Sequence, residues 1–480
     1  MAINLLSIIP DVSMDEDVKD DTSSSADSDE DNEMETETSG GGTIEDERVY
    51  LPGEPVPEGE ELVYDRSAYQ MYHAAQTGAP CLSFDIIRDK LGDNRTEYPM
   101  TCYLVGGTQA SRPKDNAIVV IKMSNMKKTY KEEERDDDED ASDSDDSDDE
   151  ELPTLDTVHI QHDGGVNRIR VAPIESRSLV STWSDSGSVH IVDVGVQLTA
   201  VDHPAAQAQP KKPPKHSVEP LFTFPGHQVR LLAAPDTFYP LHVSVVFFLQ
   251  TEGFAMDWSR MVPGRLATGD CNGNIHVWNP RDGGDGSWHV DQRSYSGHAL
   301  SVEDIQWSPN EATVFASCSV DKTIRVWDVR APPSKACMLT QSAAHDADVN
   351  VISWNRYEPM IISGGDDGVV KIWDLRQFKT GKTAAVFKHH TAPITSVEWH
   401  PTDATVFGAA GEDNQISLWD LALERDAEAS QSRDVDVPPQ LLFIHMGQQD
   451  IKEIHWHPQI PGLMISTAQT GFNVFRTISV

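Results

Sequence analysis

Apolar and polar residues alternate in short runs along most of this chain, and six of the runs close in the same way. They read VHIVDV (189–194), IHVWNP (275–280), IRVWDV (324–329), VKIWDL (370–375), ISLWDL (416–421) and FNVFRT (472–477). A period of two buries one face of each run, so each is predicted to be a β-strand. A His lies about one unit upstream. His298 precedes Trp327 by 29 positions, His345 precedes Trp373 by 28, His390 precedes Trp419 by 29, and His162 precedes Val192 by 30. A fixed spacing of this size marks an array of like units. In the clearest unit, 297–329, the alternation predicts strands over 302–307, 314–319 and 323–329, with SPN and VDK as turns.

From about residue 100 to the C terminus the pattern resembles the WD repeat, whose units each supply four strands to one blade of a β-propeller. The implied fold is all-β, a propeller of seven blades, with IVVIKM (118–123) as the seventh and most degenerate closing strand. The weakest units flank the two ends of the chain, as a ring closed by joining its termini requires. In that family the His, a turn Asp and the Trp are buried together and hydrogen-bonded. Here the resemblance implies this structural role for His162, His227, His298, His345 and His390, for Asp321, Asp367 and Asp413, and for Trp278, Trp327, Trp373 and Trp419. A metal or acid–base site needs groups that converge. These are spread one per unit.

One interval breaks the spacing. His227 lies 51 positions before Trp278, which is 22 more than the usual 29, and the 22 residues VRLLAAPDTFYPLHVSVVFFLQ (229–250) account for the excess. Deleting them joins GHQ to TEGFAMDWS and restores the period. Gln-Val-Arg can be encoded by CAG followed by GT, and Phe-Phe-Leu-Gln by a pyrimidine-rich run ending in CAG. The expectation is a non-native insert, a retained intron; a genuine apolar loop is the alternative. Its apolar run is too short to span a membrane.

Ahead of the array, residues 61–95 read as a helix and a strand. In LVYDRSAYQMYHAAQTG (62–78), Leu62, Tyr69, Tyr72 and Ala75 fall at helical spacing, Asp65 suits an N-cap, and Gly78 with Pro80 suits an end. CLSFDIIRDKLG (81–92) is predicted to be the strand that enters the propeller of 96–480.

Charge changes the picture more than any single motif. The net charge is -40, and two tracts hold most of it: 11–47 has 16 acidic residues and one basic, and 132–151 has 15 and one. Both lack the apolar residues needed to fold, so an acidic disordered tail (1–60) and loop (130–153) are expected. Such tracts solubilise, and they can also hold a basic client away from nucleic acid. Direct nucleic-acid binding by them is disfavoured because phosphate is repelled. Ser25, Ser28, Ser142, Ser144 and Ser147 sit among the acids and suit acid-directed kinases.

Other chemistry is sparse. Five Cys with no CxxC pair imply neither a disulfide framework nor a zinc site. MAINLLSIIP lacks a basic region before its apolar residues and makes a poor secretory signal, with Met14 an alternative start. No Walker loop, nucleophile elbow or paired catalytic carboxylates stand out, so the expectation is a non-enzyme without cofactors. KKPPK (211–215) reads as a weak nuclear import signal or a solvated loop.

The order of acidic tail, helix, strand and seven blades resembles the retinoblastoma-associated histone-binding chaperones, and most of all the glutamate-rich WD-repeat proteins of ribosome assembly. The segments that carry it are 64–88, EGFAMDWS (252–259) and DVPPQLLFIHMGQQDIKEIHWHP (436–458). In the histone-binding relatives an acidic loop ending in Pro-Pro closes a groove opposite the N-terminal helix. The resemblance therefore implies client contacts at Asp434 and Asp436 in loop 433–440, and at Tyr69 and Tyr72; Gln440 stands where relatives often have Glu. It implies a nuclear and nucleolar, monomeric chaperone of a basic large-subunit ribosomal protein of the L-three type, working with pre-60S factors and without a membrane. Core histones are the alternative client. A third reading is a substrate receptor of a cullin-type ubiquitin ligase, in which Arg330 and Arg376 of WDVR and WDLR would dock the adaptor.

Overall fold

The computed structural model describes residues 65–129, 152–203, 217–227, 251–281, 286–424 and 438–480, and the backbone of six short strands outside them. Residues 4–65 form a unit of their own, in which Ser7–Pro10 pairs antiparallel with Arg48–Val49 and Glu60–Val63. Tracts 11–47 and 132–151, with the five serines, lie outside the described residues, as do Asp434, Asp436 and most of 229–250.

The remainder builds seven antiparallel sheets, the blades of a propeller. Their inner strands are, in order, Cys81–Ile87, Val166–Val171, Gly253–Trp258, Val302–Trp307, Val349–Trp354, Ile394–Trp399 and Ile451–Trp456. Each packs against the next, and the seventh packs against the first, which closes the ring. Every closing strand expected from the sequence is the third strand of its blade, with Ala117–Met126 serving blade 1. Six inner strands carry a bulge near their start, as at Val302/Asp304 and Ile451/Glu453; in blade 2 the shift falls on the partner, at Trp183/Ser184. A bulge adds twist, which lets seven flat sheets converge on one axis. Tryptophans at the ends of inner strands tie blades together. The Nε1–H groups of Trp258, Trp307, Trp399 and Trp456 donate to the carbonyls of Arg170, Asp257, Ser353 and Glu398 in the preceding blade.

The helix expected over 62–78 is absent. After a single 3-10 turn at Arg66–Ala68, Tyr69–Ala75 is a strand and forms the outer edge of blade 7, in register from Phe472↔Ala75 to Thr477↔Tyr69. The segment YQMYHAA also reads at period two, with Tyr69 and Met71 buried. Pairing with a strand about 400 residues away satisfies a ladder that a lone helix could not, so tertiary context overrides the local preference. One α-helix is present among the described residues, at Gly195–Val201. The strand expected in 81–92 is found at Cys81–Ile87.

The ends of the interval 229–250 meet. Gln228–Leu232 pairs antiparallel with Val246–Gln250, and Thr251 N–H donates to the His227 carbonyl at 2.8 Å. Without the 22 residues, His227 would precede Trp258 by the same nine positions that separate His298 from Trp307. A variant lacking 229–250 is therefore expected to keep the native Tm within a few degrees, read by circular dichroism. A loss of cooperative melting would make the segment part of the fold.

Candidate functional site

Four blades share a buried tetrad. In blade 4, His298 Nδ1 meets Asp321 at 3.1 Å, His298 Nε2 meets Ser317 Oγ at 2.7 Å, and Trp327 Nε1–H donates to the same Oγ at 2.8 Å. His345, Asp367, Ser363 and Trp373 repeat it in blade 5, and His390, Asp413, Ser417 and Trp419 in blade 6. In blade 3, His227 uses Thr268 and Asp270, with Trp278 on the Thr268 hydroxyl. His162 departs from the pattern and bonds the Gly164 carbonyl and Thr182.

The hydroxyl and Asp270 escape sequence reasoning, although a signal exists for each. Thr268, Ser317 and Ser363 lie ten residues before their Trp. In blade 6 that position is Ala409, and the hydroxyl comes from Ser417, its direct partner across the ladder. In blade 3 the turn position holds Asn272, and the carboxylate sits two residues earlier at Asp270, which accepts the Asn272 N–H. Removing the Ser417 hydroxyl strands a His nitrogen and a Trp N–H, each costing about 1–3 kcal/mol. Ser417→Ala is thus expected to lower unfolding free energy by about 2 kcal/mol or more, and adding Ala409→Ser to recover much of it. A double variant as unstable as Ser417→Ala alone in urea unfolding would show that the site tolerates one hydroxyl position only.

Ser, His and Asp in this order have the form of a nucleophilic triad. The chemistry does not follow, because Ser317, Ser363 and Ser417 are fully buried and each oxygen already accepts from a Trp. Burial lowers the His298 and His345 pKa, keeping them neutral; against burial, the His hydrogen bonds hold Asp321 and Asp367 ionised, below the usual carboxylate range. Burial also lowers His445 and His457 to about 3. A His whose folded pKa is depressed contributes stability above its unfolded pKa of about 6.5, lost as pH falls below it. The depressed Asp groups lose theirs in the same direction, at lower pH. His455 runs the other way: against burial, Glu398 and Glu453 raise it to about 10, so its contribution is complete below about 6.5 and fades towards pH 10. The lowered His residues outnumber it, so Tm is expected to be lower at pH 5.5 than at 7.5. An unchanged Tm over that range would contradict the neutral tetrads.

Sites for partners must then lie on the faces of the ring, which differ in charge. One face carries the loops that enter the inner strands and the turns between second and third strands. Its described residues include twelve acidic groups and four basic ones. Asp163, Asp185, Glu252, Asp346, Asp366 and Glu412 are exposed there. Burial, with Asp348 and Asp304 beside it, raises the Glu303 pKa at the same mouth. Asn167 Nδ2 and Asn350 Nδ2 bridge this rim by donating to Glu252 at 3.2 Å and Asp366 at 2.8 Å. The opposite face carries the seven turns that leave the inner strands, with seven basic and seven acidic residues. Around the axis between them, Glu453 takes Arg168 at 2.9 Å and Arg170 at 2.6 Å.

Tyr69 is buried, its hydroxyl 2.8 Å from His445 Nδ1 and its ring against Phe443 and Phe475. It fastens blade 7 to blade 6 and offers a client nothing. Tyr72 lies beside it, half-buried, with its ring 5.8 Å from that of His445. Arg330 and Arg376 stand out from adjacent blades, their side chains 73% and 63% exposed, each clasped by the Asp two residues before it.

Comparison with known proteins gives names to this architecture. A family model for the histone-binding protein RBBP4, a component of the CAF1 complex, matches residues 59–127, and one described as "WD domain, G-beta repeat" matches 290–328, 336–374 and 381–420. The chain is 44% identical over 458 residues to Protein HEAT STRESS TOLERANT DWD 1 of Arabidopsis thaliana, covering 90% of this chain and 92% of that one. It is 41% identical to Ribosome assembly protein rrb1 of Schizosaccharomyces pombe, over 90% and 84% of the two chains. With Glutamate-rich WD repeat-containing protein 1 of Dictyostelium discoideum the identity is 42%, over 90% and 85%.

Proposed function

The chain belongs to the glutamate-rich WD repeat-containing protein family, and we propose that it is a non-catalytic scaffold that chaperones a basic client during ribosome assembly. The observation that carries this reading is the face with twelve acidic and four basic residues. A positive surface is drawn to such a face over roughly a Debye length of about 10 Å. The tracts 11–47 and 132–151 add net negative charge in sequence, screening the client until rRNA phosphate replaces carboxylate. The name of the fission yeast relative supports the pathway. Within this reading the client is a large-subunit ribosomal protein of the L-three type, met in the nucleolus, with Asp434, Asp436 and Tyr72 as further contacts and the acidic-tract serines as phosphorylation sites.

Affinity purification of the full chain at mild salt after nuclease digestion, followed by mass spectrometry, tests it. Recovery of one large-subunit ribosomal protein with assembly factors, lost on deletion of 132–151, is the expected result. Core histones with chromatin-assembly proteins and no ribosomal protein would replace it with histone chaperoning, the reading favoured by the match over 59–127.

The two clasped arginines favour a second role. Arg330 and Arg376 hold exposed guanidiniums in fixed poses on neighbouring blades, as an adaptor-docking surface of a cullin-type ligase needs. Substituting both with Ala should abolish ligase association and leave client binding unchanged; association that survives removes this role.

A further inference from the structure

The face opposite the carboxylate-rich one has its own composition at the channel mouth. The turns leaving the inner strands of blades 1, 3 and 5 each pair an exposed Arg with an exposed apolar side chain. These are Arg88 with Leu91, Arg260 with Met261, and Arg356 with Tyr357. Leu91, Met261 and Tyr357 are 57%, 47% and 52% exposed, which places three of the large exposed apolar groups of the described chain on alternate blades of one face. Arg88 shares Asp93 at 2.7 Å, whereas no described carboxylate lies within ion-pair distance of Arg260 or Arg356. The turns are fixed: Asn310 Nδ2 donates to the Arg356 carbonyl at 2.9 Å, and Tyr357 Oη donates to the Pro401 carbonyl at 3.2 Å. The guanidiniums feel one another, since partial burial lowers the Arg356 pKa and Arg260 and Arg88 lower it further. Keeping like charges together on a chain of net charge -40 costs energy unless an anion fills the space.

We propose that Arg88, Arg260 and Arg356, with Leu91, Met261 and Tyr357, form a docking surface for an acidic peptide of another protein that carries apolar anchors. Arg, Met and Tyr are the side chains enriched in protein interfaces, and contiguous exposed apolar groups mark them. Nucleic acid fits less well. Its affinity rests on neutralising many phosphates, and these seven turns carry as many acidic as basic residues. The chain's own tract 132–151 joins the third and fourth strands of blade 1 and so leaves from this same face, but Ala141 is its only apolar residue. It lacks anchors for Leu91, Met261 and Tyr357. The inference does not depend on which client the other face takes.

The test uses the full chain and three fluorescein-labelled probes: a peptide of alternating Asp/Glu and Leu/Phe residues, the same peptide with Ser for Leu and Phe, and oligo(U). The apolar acidic peptide is expected to bind, and Arg260→Glu with Arg356→Glu to weaken it about tenfold or more. Met261→Ala with Tyr357→Ala should weaken it by several-fold. The Ser peptide should bind far more weakly. All positions are exposed, and Tm of each variant verifies folding. No binding, or binding indifferent to the arginine reversals, overturns the proposal. Oligo(U) binding as tightly, with loss in the same variants, would make this a nucleic-acid surface. Peptide binding seen only after deletion of 132–151 would assign the surface to the chain's own tract.

Discussion

Replacing Glu453 with glutamine is expected to lower the unfolding free energy by about 3–5 kcal/mol, the largest stability effect of any single near-isosteric change in the ring. The carboxylate is 3% exposed and gathers five partners. Oε1 takes Arg168 and Arg170, Oε2 accepts from Ser83 Oγ and the Phe84 N–H at 2.8 Å each, and His455 stands 3.6 Å away. Against the penalty of burial, Arg170, His455 and Arg168 hold its pKa well below the usual range. An amide has the same shape but no charge, and its NH2 must face either two guanidiniums or two donors. Arg168 and Arg170, themselves largely buried, would be left without a counter-charge.

Location makes the effect global. Glu453 is on blade 7, Ser83 on blade 1 and both arginines on blade 2, while Arg168 also donates to the Phe254 and Glu303 carbonyls of blades 3 and 4. Urea unfolding followed by Trp fluorescence measures the loss, with exposed Glu412→Gln as the comparison. Adding Arg168→Met to Glu453→Gln should recover part of it, because a buried charge without a partner is the main cost. A loss below about 1 kcal/mol would mean that water in the channel already screens the cluster.

How far the sequence reveals this molecule depends on whether the cause is local. The closing strands and the tetrad His, Asp and Trp follow from period and spacing, because each blade repeats one solution to one packing problem. The strand Tyr69–Ala75 reads as a helix in isolation because its pairing partner, Gly471–Thr477, lies at the other end of the chain. Ser417 and Asp270 escape because the tetrad constrains where an oxygen sits and not which strand position supplies it. The Glu453 cluster has no spacing signature at all. Its members are 285 and 283 residues apart and meet only when the ring closes. The contrast between faces is equally hidden, since turns from seven blades must be sorted by the end of the sheet on which they fall.

That contrast yields the largest expected effect on binding. Reversing Asp185, Asp366 and Glu412, exposed residues on blades 2, 5 and 6 of the carboxylate-rich face, to Lys is expected to weaken a Lys/Arg-rich peptide about 100-fold at low salt. A solvated pair at about 4 Å is worth roughly 1 kcal/mol, and reversal replaces attraction by repulsion. Screening leaves about 1 kcal/mol for each of three sites, near 3 kcal/mol in all. The control reverses Glu175, Glu311 and Glu358, exposed residues of the opposite face, which changes net charge by the same amount. If the face binds the client, only the first set loses affinity in fluorescence anisotropy, and the gap closes towards 1 M salt, where the Debye length is about 3 Å. Equal loss in both sets would mean that net charge attracts the client from any direction. The acidic tracts, which hold 29 of the 40 excess charges, would then carry the binding without a defined face.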